Sequence, residues 1–166
     1  MTSIKGPISF DQHGNFLDSS GRVVQLKGIN VDGGCKFPQT PYLPSYVPLG
    51  KGEEEEEEGD SIFFDGDNVS FVGRPWPLKD VEYHINRLKS MGFNTIRYII
   101  TWEALEHAGP GVYDMEFIEY TIEVLKIIHN IGGVFIYLDP HQDVWSRFSG
   151  GDGAPMWTLY AAGFDP

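Results

Sequence analysis

Two amphipathic stripes, each followed at once by a short apolar run, constrain what this chain can fold into. In residues 78–91 the apolar positions Leu78, Val81, Ile85, Leu88 and Met91 recur at helical spacing behind Pro75 and Pro77, and Gly92 supplies a stop. The run FNTIRYII, residues 93–100, then reads as a strand. Asp114 suits the N-cap of a second helix and Glu116 its first-turn dipole; Phe117, Ile118, Ile122, Leu125, Ile128 and Ile131 form the stripe, which ends at Gly132-Gly133. A second apolar strand follows directly at residues 134–138. An earlier apolar run, residues 23–31, ends at Asp32-Gly33-Gly34 as a strand opening into a loop does. Strand, helix, strand, helix, strand, with strands apolar on both faces, is the pattern of an α/β fold: a parallel sheet layered with helices.

Ahead of this pattern, turn chemistry at His13-Gly14-Asn15 and Asp18-Ser19-Ser20-Gly21 predicts a hairpin. Between the first strand and the first helix, residues 37–75 read as one long loop, with prolines at 38, 41, 44 and 48 and a run of six glutamates, Glu53 to Glu58. Adjacent carboxylates repel and bury nothing, so residues 50–60 are expected to be a disordered acidic insertion. The aromatic residues Tyr42, Tyr46, Phe63, Phe64, Phe71 and Trp76 at its ends are expected to fold back on a core or to rim a cleft.

With 24 acids against 12 bases the formal charge is −12, and without the glutamate run the chain is still acidic, which argues against nucleic acid as a partner. A single cysteine, Cys35, excludes an internal disulfide framework and a multi-cysteine zinc site. No stretch approaches a membrane span, and the opening residues lack the apolar core of a secretory signal, so an intracellular protein, cytoplasmic or vacuolar, is expected. Neither a GxGxxG run nor a phosphate loop is present.

Polar residues cluster where the three strands end: Asn30, Asp32 and Lys36 after the first, Arg97 with Trp102 and Glu103 on and after the second, and Asp139, His141, Gln142 and Asp143 after the third. In α/β folds the carboxyl ends of parallel strands form the active-site face. Arg97 interrupts a strand that is otherwise apolar, so its guanidinium demands either a carboxylate partner that serves packing alone or an aqueous cleft. His141 stands in a Pro-His-Gln-Asp turn, aimed into a cleft or hydrogen-bonded within its loop. No second histidine or cysteine stands at ligand spacing from His141 and Asp143, so neither a metal nor another cofactor is expected.

The segments LKGIN, FNTIRYIITWEALEH with GPGVYD after it, and above all LDPHQDVWSRFSGGDGAPMWTLYAAGFDP resemble the start of family 5 glycoside hydrolases. The likeness is to the fungal branch that contains steryl-β-glucosidases and glucosylceramide-cleaving relatives of endoglycoceramidase. It extends over nearly the whole chain apart from the acidic insertion. The resemblance implies a (β/α)₈ barrel, of which this chain would supply the N-terminal hairpin and about three strand-helix units. It also implies a glycolipid or other β-glucoside as substrate, with possible peripheral membrane contact. By position, Arg97 matches the arginine that holds the nucleophilic glutamate in place and ionised. His141 and Asp143 match groups that hydrogen-bond the innermost sugar, and Lys36 matches a lysine that contacts sugar hydroxyls. Trp102 and Trp145 are candidates either for the cleft wall or for core packing.

The same resemblance defines what is missing. The family uses an acid/base glutamate in an Asn-Glu motif at the fourth strand and a nucleophile at the seventh, and no Asn-Glu pair occurs in this sequence. Both catalytic glutamates are therefore expected beyond Pro166. Glu103 and Glu106 fall in a loop after the second strand, in neither position. The expectation is the opening part, residues 1–166, of a longer retaining glycosidase, inactive by itself and with Arg97 lacking its carboxylate. An endo-acting β-glucanase of the same fold and a non-catalytic sugar-binding protein are the alternatives.

Overall fold

The computed structural model describes residues 7–40 and 69–165. The glutamate run, the 50–60 insertion and Tyr42, Tyr46, Phe63 and Phe64 lie outside the described residues. So does Pro166, the position beyond which the two catalytic glutamates are expected.

The chain opens with a two-stranded antiparallel hairpin, β1 (Ser9–Phe10) and β2 (Phe16–Leu17), in which Phe10 pairs with Phe16 and their rings stand 4.9 Å apart. The Asp11 side chain closes the connecting turn, accepting from the backbone N–H groups of His13 and Asn15. This is the local hydrogen bonding that makes aspartate a turn residue.

Three parallel strands form the main sheet in the order β3 (Gly28–Asn30), β4 (Thr95–Thr101), β5 (Phe135–His141). The expected first strand, residues 23–31, shortens to Gly28–Asn30. Upstream of it the Asn94 side chain replaces the ladder: its Oδ1 accepts from Lys27 N at 2.7 Å and its Nδ2 donates to the Gln25 carbonyl at 2.9 Å. β5 runs three residues further than the expected strand, through Pro140 to His141, so His141 is the last residue of a strand rather than part of a turn. Among the described residues β5 is an edge strand, where proline is tolerated.

Helix α1 (Val81–Ser90) and helix α3 (Met115–Ile131) cover one face of this sheet. Val81 and Ile85 of α1 and Val124 and Ile128 of α3 pack onto Val31, Ile96 and Tyr98, all buried. The expected stripe of α3 is corrected at its centre, where the buried line runs Phe117, Thr121, Val124, Ile128 and leaves Ile122 exposed. α1 stops as its sequence implies: Gly92 takes φ +86°, and its N–H donates to the Lys89 carbonyl. Asp114 caps α3, its Oδ1 accepting from Phe117 N at 2.9 Å.

Residues 102–106, expected in a loop, form a short helix, α2 (Trp102–Glu106). The Thr101 hydroxyl caps it by accepting from Ala104 N at 3.2 Å. Ala104 joins Val69, Phe71 and Phe117 in a smaller core. That core is reached because Thr40 and Ser70 pair as an antiparallel bridge, bringing together the two ends of the intervening stretch. A last short helix, α4 (Trp157–Ala161), follows the loop after β5.

Candidate active site

Strand alternation divides the sheet's side chains between two faces. Ile96, Tyr98 and Ile100 of β4 and Ile136 of β5 meet the helices. The register pairs Asn30 with Arg97, Arg97 with Tyr137, Ile99 with Asp139 and Thr101 with His141, so Arg97, Asp139 and His141 share the opposite face.

There they form one polar network. Arg97 Nη2 lies 2.6 Å from Asp139 Oδ2, and His141 Nδ1 lies 2.8 Å from the same oxygen and 3.1 Å from Arg97 Nη2. The short contact with a carboxylate requires that Nδ1 carry the hydrogen and donate it to Asp139, which turns Nε2 to the other side of the ring. Nε2 there faces Asp152 Oδ1 at 3.4 Å, and Asp152 Oδ2 faces Lys36 Nζ, also at 3.4 Å. The expectation that Arg97 lacks a carboxylate is therefore corrected, because Asp139, two residues along its neighbouring strand from Tyr137, supplies one. Half-exposed Arg97 and partly buried Lys36 flank two shielded carboxylates and an imidazole. This set of donors and acceptors can grip hydroxyl groups.

Residues 142–153 hold the network from above. Asp143 and Asp152 exchange both backbone hydrogen bonds at 2.9 Å, leaving the Asp143 side chain exposed beside the network rather than within it. The crossing is so close that a Cβ on Gly151 would stand 1.8 Å from the Asp143 carbonyl oxygen, which restricts position 151 to glycine. Val144 and Trp145 both adopt left-handed backbone, φ +46° and +74°, which is costly for a β-branched and a bulky residue. That conformation turns Trp145 toward Trp102, with the rings edge to face at 6.3 Å, and lets its Nε1 donate to Thr158 Oγ1 at 3.0 Å. Trp102 also meets Trp157 edge to face at 5.3 Å and donates from Nε1 to Glu106 Oε2 at 2.6 Å. Both Trp102 and Trp145 keep part of their rings exposed, so core packing alone does not account for them.

Glu103 and Glu106 have structural partners. Glu106 accepts from Trp102 and from the Gly111 backbone N–H, and these bonds, the backbone one foremost, hold its carboxyl below the usual range. Glu103 is buried against Arg147, its Oε1 accepting from Nε at 2.7 Å. Burial outweighs the attraction of Arg147 and pushes the Glu103 carboxyl up. This pair ties α2 to the loop after β5.

The residues that sequence reasoning missed are Asp152 and, as a partner for Arg97, Asp139. Asp139 stood in the strand-end cluster but its register against Arg97 was not readable. Asp152 sits in a glycine-rich run that reads as an ordinary loop, and its only signal was a lone acid between glycines that contact the 142–143 backbone.

The chain is 52% identical over 160 residues to the ergosteryl-beta-glucosidase of Saccharomyces cerevisiae, covering 96% of this chain and 20% of the relative. It is 57% identical over 151 residues to a glucosylceramidase of Aspergillus fumigatus, covering 91% of this chain and 18% of the relative. The crystal structure of Cryptococcus neoformans sterylglucosidase 1 superposes with a TM-score of 0.73 at 42% identity, over 92% of this chain and 20% of that one. Over the residues matched, the chain is similar to these fungal steryl-glucosidases and glucosylceramidases. It spans about a fifth of the length of these fungal relatives. Endo-glycoceramidase II from Rhodococcus, at 24% identity and a TM-score of 0.52, shares the fold. The described residues accordingly form a parallel α/β portion of a barrel fold, with the sheet not closed. No family model matches the chain.

Proposed function

We propose that this chain forms the first strands of a retaining β-glucosidase barrel and one wall of its sugar pocket, and that the glucoside carries a lipid, either a sterol or a ceramide. One observation carries the proposal: an unbroken line of contacts, Lys36 to Asp152 to His141 to Asp139 to Arg97, crosses the carboxyl ends of all three parallel strands. That face is where barrel enzymes keep their chemistry.

In a retaining mechanism one carboxylic acid protonates the leaving oxygen while a carboxylate attacks the sugar carbon, the two standing roughly 5 to 5.5 Å apart. In this reading both come from sequence beyond Pro166, and Arg97 contributes by orientation. Asp139 holds one end of the planar guanidinium, and its remaining N–H groups are left to hold a nucleophilic carboxylate ionised and in line. His141, Asp143 and Lys36 bind hydroxyls of the ring being cleaved, with Asp139 fixing the imidazole so that little ordering remains for substrate binding to supply. The partly exposed faces of Trp102 and Trp145 offer an apolar wall for the sugar face or the lipid. Residues 1–166 alone leave a glucoside uncleaved, since neither Glu103 nor Glu106 is free for acid/base or nucleophilic work. The lipid assignment is supported by the names of the fungal relatives.

The test is a chimera in which this chain replaces the matched residues of the Saccharomyces relative, assayed on steryl glucoside, glucosylceramide and cellulose-type oligosaccharides. Release of glucose from one of the two lipid glucosides is expected. A chimera that melts cooperatively yet cleaves only the oligosaccharides, or nothing, refutes the proposal.

A further inference from the structure

Asp152 closes its loop through its backbone, but its side chain has no hydrogen-bond partner within that loop among the described residues. Its side chain is only 5% exposed, its Oδ1 accepts no hydrogen bond from the described residues, and it sits between glycines whose backbones press on Gln142 and Asp143. A carboxylate buried in this way is unfavourable unless a cation meets it. Lys36 is that cation, at 3.4 Å from Oδ2. The two residues come from opposite sides of the sheet: Lys36 ends the 3-10 turn after β3, whereas Asp152 is pinned by backbone bonds to the segment after β5, and β4 runs between.

We propose that Asp152 is a positioning residue that clamps the Lys36 ammonium beside His141 Nε2, so that the lysine donor and the imidazole acceptor reach one sugar together; the activity part of this proposal rests on the glucosidase reading above. Chemistry favours such a clamp on Lys36 more than on His141. The imidazole is already fixed at Nδ1 by Asp139, while a lysine ammonium on a four-carbon stem has no preferred direction of its own and gains most from an anchor. His141 Nε2 and Asp152 Oδ1 are both buried and lack hydrogen-bond partners among the described residues, although they stand 3.4 Å apart. Unmet polar atoms of this kind at the end of a strand mark a place prepared for a polar group. A sugar hydroxyl, which donates and accepts through one oxygen, can serve Nε2 while Lys36 donates to its neighbour.

The test uses the chimera. Asp152→Asn preserves shape and removes the charge that holds Lys36. It is expected to lower kcat/KM on the lipid glucoside by about 10- to 100-fold. In a Lys36→Met background the same substitution is expected to cost less than about threefold, because the group it acts through is gone. An equal loss in both backgrounds, as a purely structural role in loop closure would give, overturns the proposal, as does no loss in either. Crystal structures of the chimera and its Asp152→Asn variant decide the point independently of turnover. The Lys36 ammonium is expected to leave its place beside position 152 in the variant, and an unmoved ammonium overturns the proposal. A folded chimera that shows this displacement but cleaves no glucoside refutes the glucosidase reading and leaves the clamp standing.

Discussion

Glu103 and Arg147 illustrate at the scale of single residues how the site's surroundings are held. Their side chains are 1% and 2% exposed, and the pair joins the helix after β4 to the loop after β5. Burial raises the Glu103 carboxyl despite the nearby cation, so the folded chain binds that proton more tightly than the unfolded chain does. The contribution of Glu103 to stability is therefore fully present below the ordinary glutamate range and is lost as pH rises through the raised folded value. Arg147→Met removes both the charge and the hydrogen bond that draw Glu103 down, so its carboxyl rises further. At neutral pH an uncompensated buried charge should cost about 3–5 kcal/mol. Urea unfolding of the chimera at about pH 5 and about pH 8 should show the penalty shrinking on the acid side. A penalty independent of pH would mean that Arg147 acts through packing, for example through its contact with the Phe148 ring at 4.1 Å.

At the scale of elements, α3 depends on its first turn as well as on its stripe. Asp114→Ala removes the acceptor for Phe117 N and should lower stability by about 1 kcal/mol, read as a shift of the urea midpoint. An unchanged midpoint would show that packing of Phe117 in the smaller core is sufficient to set the helix start. Asp114, like Gly92, was legible in the sequence because capping and stopping are local rules, satisfied within four residues. The existence of both helices was legible for the same reason, since period 3.6 needs no distant partner. The buried line of α3, however, was read one position off at its centre, where Thr121 and Val124 are buried and Ile122 is exposed. The first strand was not. Its shortening to Gly28–Asn30 depends on an Asn94 side chain 67 residues from Lys27, and no propensity reports that. The extension of β5 through Pro140 was hidden likewise, because proline reads as a break unless the strand is known to lie at an edge. At the site, residue types at strand ends were legible, whereas the Arg97–Asp139 and Lys36–Asp152 pairs required register and loop path.

For the molecule as a whole, the sheet's two outer strands each pair on one side only among the described residues. β5 leaves Tyr137 62% and Leu138 47% exposed, one on each face. An apolar pocket beside it, lined by Ile100, Leu105, Leu138 and Pro140 among others, has a volume of about 410 Å³. Exposed apolar strand faces of this kind are ordinarily covered by further structure. The polar network, by contrast, is assembled within the described residues, so its geometry does not wait on further strands. A crystal structure of the chimera with glucose bound tests this most directly. The account predicts one glucose ring at the carboxyl end of β5, with hydroxyls within hydrogen-bond distance of Lys36, His141 and Asp143; a glucose seated elsewhere, touching none of the three, would contradict it.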